Sequence, residues 1–523
     1  MPLQVLLAGY NVDAEALAET RQILDFIQRE VDPNDLQRMS DEELRRFLAD
    51  LCRAAYESLA SHPLTPEALS AAYARISRDP KPIPELRRAA RESIAGARKS
   101  NEAIIFGLGH ASVAEHAVFN IDILGLSRLA TEELQSHRLL SFTEKSQRYV
   151  TASEDYVVPE ELKATPWEDR FHAEVQTLFS AYHHFFQTLC RKIIEKEGEA
   201  QENLARRDQE NRAKEDARYL LPLATTTQMG LTLNARNLEY ILREFNGHAL
   251  AEMRLLGEKL YKAVRPLAPS LIKYVQPSDF RWQDQLGTAR DYSSTHGLEE
   301  LQIFSCPEVV FVGATPQGER IVAEALAFRH GIQFNPEELP SDFWKSVLRG
   351  MSPHEPAPRE FELATIQFQA KVSASCFAQL KRHRMMTLVP APYRAHDGAV
   401  VPPAIVEAGL SDEFVRLVRH VSMVCEEFAE KMPAVAPYLL TNAHMRRVML
   451  QVNARELYHM ARLRQDEHAQ WEIRQLVCQM MDEARKVWPN MMALACGKDK
   501  FESMYHQFIG GGEGSIGANP QKE

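Results

Sequence analysis

The segment HRLLSFTEKSQRY, residues 137–149, sets Glu144, Ser146 and Arg148 at every second position. In an extended chain an acceptor, a hydroxyl and a fixed cation would then share one face. Such a trio suits a nucleoside monophosphate: arginine offers phosphate a charge-assisted bond, serine adds a donor, and a carboxylate orients a base or sugar hydroxyl. A surface strand with an ordinary polar face gives the same spacing, so the trio needs independent support. Upstream, GHASVAEHAVF (residues 109–119) gathers His110, Ser112, Glu115 and His116 where a glycine breaks the preceding pattern. Two histidines without a third ligand make a poor zinc site, so no metal is expected and contacts to an organic cofactor are the better reading. Downstream, QVNARELYHMARLRQDEHAQWEIRQL sets Arg455, His459 and Arg462 on one helical stripe and Arg464 and His468 on the next. Glu456, Asp466, Glu467 and Glu472 could equally neutralise these cations as surface pairs.

The elements that must position these groups occur twice. VLLAGYNVDAEAL near the start is echoed by VVFVGATPQGERIV from Val309, each an apolar strand entering a glycine turn and a helical pattern. SHRLLS (residues 136–141) is echoed by RHRMMT (382–387), and LNARNLEYILREF from Leu233 by VNARELYHMARLR from Val452, in the same order. A chain of 523 residues is long for one domain. We therefore read a first copy over 1–297 and a second, diverged copy over 298–523, with the junction near Leu298 where glycine, proline and polar residues interrupt helical periodicity. Each copy is expected to be an α+β unit, rich in helix with a small antiparallel sheet. The first copy carries two insertions: an acidic, leucine-rich stretch read as added amphipathic helices, and the charge-alternating KIIEKEGEAQENLARRDQENRAKEDAR, read as a solvated helix without a function. A formal charge of -11 argues against nucleic acid as a partner. Seven scattered cysteines without a CxxC pair, no basic leader and no membrane-length apolar run point to a cytoplasmic protein with reduced thiols and no membrane contact.

Together these segments resemble the flavin-dependent thymidylate synthases, whose signature RHRxxSxNExSxRY is preceded by GHxSxxEHxxF and followed by NAR and LRxxxxAQWEIR. The first copy keeps His137, Arg138, Ser141, Glu144, Ser146, Arg148 and Tyr149 but has Ser136 for the first arginine and Thr143 for asparagine. The second keeps Gln379, Arg382, His383 and Arg384, then runs into LVPAPYRAHDG, with no match to ExSxR. The first keeps Arg218 of ARxxLP where the second has APYLLT; the second keeps Arg464 where the first has eroded to LREFNGHALAEMR. The resemblance implies two fused synthase folds with complementary losses. Glu144, Ser146, Arg148 and Arg218 would meet Gln379 and Arg382 around one dUMP, with Arg464 as the catalytic electrostatic group. His110, Ser112, His137, Arg138, His383, Arg384, Asn453 and Arg455 would contact FAD. It further implies NADPH and 5,10-methylenetetrahydrofolate as co-substrates, and a homodimer standing in for the family's homotetramer with half of the pockets competent. The departures leave a second reading open, a paralogue that binds flavin or nucleotide without turnover.

Overall fold

The computed structural model describes residues 2–30, 36, 38–61, 64–198, 202–277, 301–333 and 339–510. Strands β1 (Gln4–Tyr10), β2 (Val118–Ser127), β3 (Ser141–Glu144) and β4 (Thr226–Asn234) form an antiparallel sheet in the order β1-β2-β4-β3. A two-stranded parallel pair joins β5 (Ile303–Phe304) to β9 (Ala399–Val400). Strands β6 (Glu308–Ala314), β7 (Thr365–Ser373), β8 (Thr387–Pro390) and β10 (Met445–Asn453) repeat the first plan as β6-β7-β10-β8, again antiparallel.

The register makes the repeat a correspondence of residues. β1 shifts register between Leu7 and Gly9 against β2, and β6 does so between Phe311 and Gly313 against β7, so one bulge recurs at one place in the echoed motif. β2 and β7 end in Ser127 and Ser373, which cap the helices Arg128–Gln135 and Ala374–Leu380. β4 and β10 end in Asn234 and Asn453, the asparagines of the two NAR motifs, which cap the helices Ala235–Asn246 and Ala454–Arg464. Alternation along the strands buries Phe119, Ile121, Ile123, Leu231 and Leu233 in one copy and Ile366, Phe368, Val372, Leu450 and Val452 in the other, giving each sheet one helix-covered face. The expected fold class holds. The acidic stretch forms the helices Ala14–Glu30 and Asp41–Ser61, whereas the junction near Leu298 lies outside the described residues. Among the described residues no helix is long and apolar enough to cross a membrane.

The copies meet around a pseudo-two-fold axis. Residues 219–224 (YLLPLA) and 438–443 (YLLTNA) run antiparallel, with Leu223 N donating to Leu440 O (2.7 Å), Asn442 N to Leu221 O (3.0 Å), Ala224 N to Tyr438 O (2.9 Å) and Ala443 N to Tyr219 O (2.9 Å). Exchanging the copies turns each of these bonds into another of the set, as in an isologous dimer interface. The flanking contacts obey the same exchange. Ser127 donates from N and Oγ to Glu252 (2.7 and 2.6 Å), and the Tyr438 hydroxyl of the other copy donates to that carboxylate (2.7 Å). Ser373 donates likewise to Glu472 (2.9 and 2.5 Å), which also takes the Tyr219 hydroxyl (2.6 Å). Each buried glutamate thus takes a donor on each oxygen from its own copy and a third donor from the other.

Candidate active site

Five arginines gather beside this seam: Arg128, Arg148 and Arg218 from the first copy, Arg382 and Arg464 from the second. Burial lowers the pKa of Arg128 (to about 10), Arg218 and Arg464, and neighbouring cations add to it: Arg218 and Arg382 act on Arg128, Arg148 on Arg218, and Arg382 and Arg148 on Arg464. Clustered cations are costly unless anions balance them. Carboxylates do so in part: Glu144 pairs with Arg128 and Glu215 with Arg148 (2.5 Å), while Glu132 acts on Arg128 and Asp216 on Arg218 from further away. Arg218 donates from Nε to the Glu215 carbonyl (3.1 Å), but its buried Nη2 has no hydrogen-bond partner among the described residues. Neither Arg382 nor Arg464 pairs with a carboxylate among the described residues. Two cavities reach the cluster's carboxylates, one of about 450 Å³ lined by Glu144 and Ser146 and one of about 740 Å³ lined by Glu215 and Asp216, and none of the five arginines lines either.

The expected common face of Glu144, Ser146 and Arg148 forms differently from the reading in extended chain. β3 ends at Glu144, and the next residues turn: Val150 N donates to Ser146 O (3.1 Å) and Arg148 N to Ser146 Oγ (3.2 Å). Glu144 stays in the strand, its carboxylate held by Arg128 and by Gln135 Nε2 (3.1 Å). Gln379 donates to Gln470 Oε1 (3.3 Å); Gln470 in turn caps the helix Trp471–Val487 and donates to the Tyr219 hydroxyl (2.8 Å). The AQWEIR segment therefore ties the second copy's site residues to the seam.

The two RHR-like segments grip each other. Arg138 Nη2 donates to Thr387 Oγ1 (3.1 Å), while Arg384 Nη1 donates to the carbonyls of Arg138 (3.1 Å) and Leu140. His137 faces Glu244 (2.9 Å). His383 is buried; its Nε2 accepts from Arg464 Nε (3.0 Å) and its Nδ1 lies 3.1 Å from Glu456. Burial lowers its pKa, so the neutral ring carries its proton on Nδ1. His383, Glu456 and His459 bring three potential ligand atoms within 4.8 Å of one another, but both His383 nitrogens are already engaged and offer no free lone pair to a metal. Alongside lies a cavity of about 430 Å³ whose wall includes Met385, Asn453, Arg455, His459 and Lys498. Arg455 is anchored to Glu362 (2.8 Å), as its counterpart Arg236 is to Glu115 (2.5 Å). Every residue lining that cavity belongs to the second copy. His110 and Ser112 are exposed in the first copy, His110 Nε2 lying 3.2 Å from Arg78, so one chain does not bring them to that wall.

Sequence reasoning passed over Arg128, Gln135 and Glu215. Glu215 sits in the charge-alternating insertion, whose last turn is buried and built into the site: Lys214, Asp216 and Ala217 are buried in the helix Asn203–Ala217. Burial raises the pKa of Asp216 to about 6 although Trp471 Nε1 (2.9 Å) and Ala404 N (3.2 Å) donate to it. A carboxyl with a folded-state pKa above its unfolded value favours folding while protonated, and that contribution fades as pH rises through the folded pKa. The expected loss is about 3 kcal/mol between about pH 4 and pH 7. Asp216→Asn lacks this titration, so chemical denaturation across that range should show the variant gaining on the wild type by that amount.

Comparison with known proteins accounts for both halves. The family model described as thymidylate synthase complementing protein matches residues 58–270 and again 312–490. A flavin-dependent thymidylate synthase of Clostridium tetani is 34% identical over 178 residues, 34% of this chain and 69% of its own length. A UPF0159 protein of Thermoplasma acidophilum is 22% identical over 482 residues, 82% of this chain and 94% of its own, and so spans both copies. A solved flavin-dependent thymidylate synthase of Helicobacter pylori, complexed with FAD and dUMP, covers 40% of this chain and 96% of its own at 20% identity and a TM-score of 0.27. The two family matches together cover most of the chain: it belongs to the thymidylate synthase complementing protein family.

Proposed function

We propose that the protein converts dUMP to dTMP, taking the methylene carbon from 5,10-methylenetetrahydrofolate and reducing equivalents from NADPH through FAD. The observation that carries this reading is the gathering of Arg148, Arg218, Arg382 and Arg464 from both copies with cationic capacity left over, which fits a phosphate dianion and a pyrimidine that becomes negative as it is attacked. Ser146, within the turn, adds a hydroxyl to the phosphate set, and Glu144, fixed by Arg128 and Gln135, can hold a sugar or base donor. Gln379 completes the second copy's contribution. Arg464 is assigned the electrostatic role and no side chain serves as nucleophile. Cys376 lies within electrostatic reach of Arg464, but burial raises its pKa well above the ordinary thiol value, so it offers no thiolate.

The wall formed by Asn453, Arg455 and His459, with His383 and Arg384 beside it, fits a flavin dinucleotide, since its cations suit a pyrophosphate and its Met385 an apolar ring. Reduced FAD, when bound, supplies the hydride. The chain's own groups orient and polarise. Because that wall comes from one copy only, we assign His110, Ser112, His137 and Arg138 to flavin contacts completed by a second chain, giving a homodimer in the cytoplasm. A second reading, binding without turnover, is favoured by Ser136 and Thr143, which stand where the family motif has arginine and asparagine. Purified protein with reduced flavin separates the two. Oxidation of the flavin on adding dUMP plus methylenetetrahydrofolate, with dTMP formed in equal amount, is the expected result; flavin that stays reduced favours the second reading.

A further inference from the structure

The pseudo-two-fold axis gives every residue of the proposed nucleotide site an image in the other half, and strand register identifies it. Ser127 and Ser373 end β2 and β7; Ser141 and Thr387 begin β3 and β8; Asn234 and Asn453 end β4 and β10. On this correspondence Arg128, Arg148, Arg218 and Arg382 map to Ala374, Arg394, Pro437 and Ser136, and Glu144, Ser146 and Gln379 to Pro390, Pro392 and Glu133. Where Arg464 meets the His383 ring, Phe245 meets the His137 ring at 5.8 Å. One guanidinium of the five survives, too few to hold a phosphate dianion. Arg394 is thus a remnant of ExSxR in a segment whose letters alone read as having no match to it.

The image position is filled as well as stripped. Glu132, Tyr393 and Arg446 stand there, opposite Ala378, Gln147 and Thr227. The Glu132 carboxylate from the first copy accepts from the Tyr393 hydroxyl (3.1 and 3.0 Å to its two oxygens) and from Arg446 Nη1 (3.1 Å), both of the second. Arg446 spends its other donors on the Ala391 carbonyl (3.1 and 2.5 Å), and its guanidinium lies over the rings of Tyr393 (4.2 Å) and Phe377 (4.5 Å). Glu132 and Arg446 are 5% and 8% exposed. The enclosed space left between Ser136, Pro390, Glu132 and Lys381 is about 50 Å³, room for a few waters, whereas the image of the Glu144 and Ser146 cavity stays open at about 380 Å³ beside Val389, Pro390 and Val448.

We propose that the image pocket has been rebuilt as a solid clamp across the two copies, in which Glu132, Tyr393 and Arg446 occupy the nucleotide's place, so that each chain carries a single nucleotide site and is held in register by the lost one. The proposal rests on the nucleotide reading of the retained site, and its test separates the two. Calorimetric titration of the full, FAD-loaded chain with dUMP should give about one equivalent per chain, and Arg394→Ala should leave both the number and the affinity unchanged. Two equivalents, or binding weakened by Arg394→Ala, overturns the clamp; no binding by the wild type sinks the nucleotide reading instead. Glu132→Gln keeps the shape and strands the Arg446 charge, so the thermal midpoint should fall by a few degrees, and Tyr393→Phe, which removes one hydroxyl and serves if the first variant is insoluble, should lower it by less. A midpoint unmoved by the substitution overturns the clamp.

Discussion

Arg148→Ala is expected to weaken dUMP binding by at least about 100-fold while FAD stays bound. A charge-assisted, bidentate contact to phosphate contributes about 3 kcal/mol, which is a factor of that size in affinity, and the substitution has a second effect. Arg148 now neutralises Glu215 at 2.5 Å; without it a carboxylate faces the incoming phosphate. Glu215→Gln should act in the opposite direction, freeing the guanidinium and tightening dUMP by several-fold, about 1 kcal/mol. Titration calorimetry reads both variants, and flavin absorbance reports cofactor retention. Unchanged nucleotide affinity in Arg148→Ala would remove the phosphate assignment, and weaker binding in Glu215→Gln would recast Glu215 as a group that positions Arg148 rather than one that competes for it.

The duplication is legible because its signals are local: a glycine turn, the SHRLLS and RHRMMT segments and the NAR asparagines leave marks in consecutive residues, and register shows each pair in the same structural role, whereas the matching serine caps emerge only from the register. The complementary losses are legible for a similar reason, since Arg218 stands against APYLLT and Arg464 against the eroded LREFNGHALAEMR, although the register is needed to set Phe245 rather than Arg243 opposite Arg464. What escaped was set by long-range packing. Nothing around Tyr219 says that its hydroxyl crosses to Glu472 while Tyr438 crosses to Glu252, because the exchange exists only once the copies are docked. Charge alternating at helical spacing describes most of the Glu215 helix well and hides its end; only the last turn is buried, by contacts with the turn after β3, more than sixty residues earlier, and a helix more than two hundred residues later. Ser146 and Arg148 were placed on one extended face by spacing, but a serine can bond its own backbone two residues on, and that turn wins here over continuation of the strand.

Arg464→Ala should lower kcat by about 100- to 1000-fold, the range for removing a donor aimed at charge that develops only in the transition state, with a much smaller change in dUMP affinity. The geometry separates this residue from the phosphate ligands. Arg464 leans on His383, whose neutral Nε2 accepts from Nε at 3.0 Å; the imidazole fixes the plane of the guanidinium, while Glu456 at 3.1 Å from Nδ1 fixes the imidazole. Burial lowers the pKa of Arg464 but does not discharge it. Its remaining N–H groups are therefore held in a set direction in a site short of water, where a fixed cation stabilises new negative charge without reorganising. Lysine cannot both donate to His383 and present a second planar donor, so Arg464→Lys should recover little of the loss. Single-turnover oxidation of reduced flavin at saturating dUMP, set beside the dUMP dissociation constant, distinguishes the roles: a fall in rate at nearly constant affinity is the signature of a contact made in the transition state, whereas parallel losses in both would make Arg464 one more ligand of the bound nucleotide.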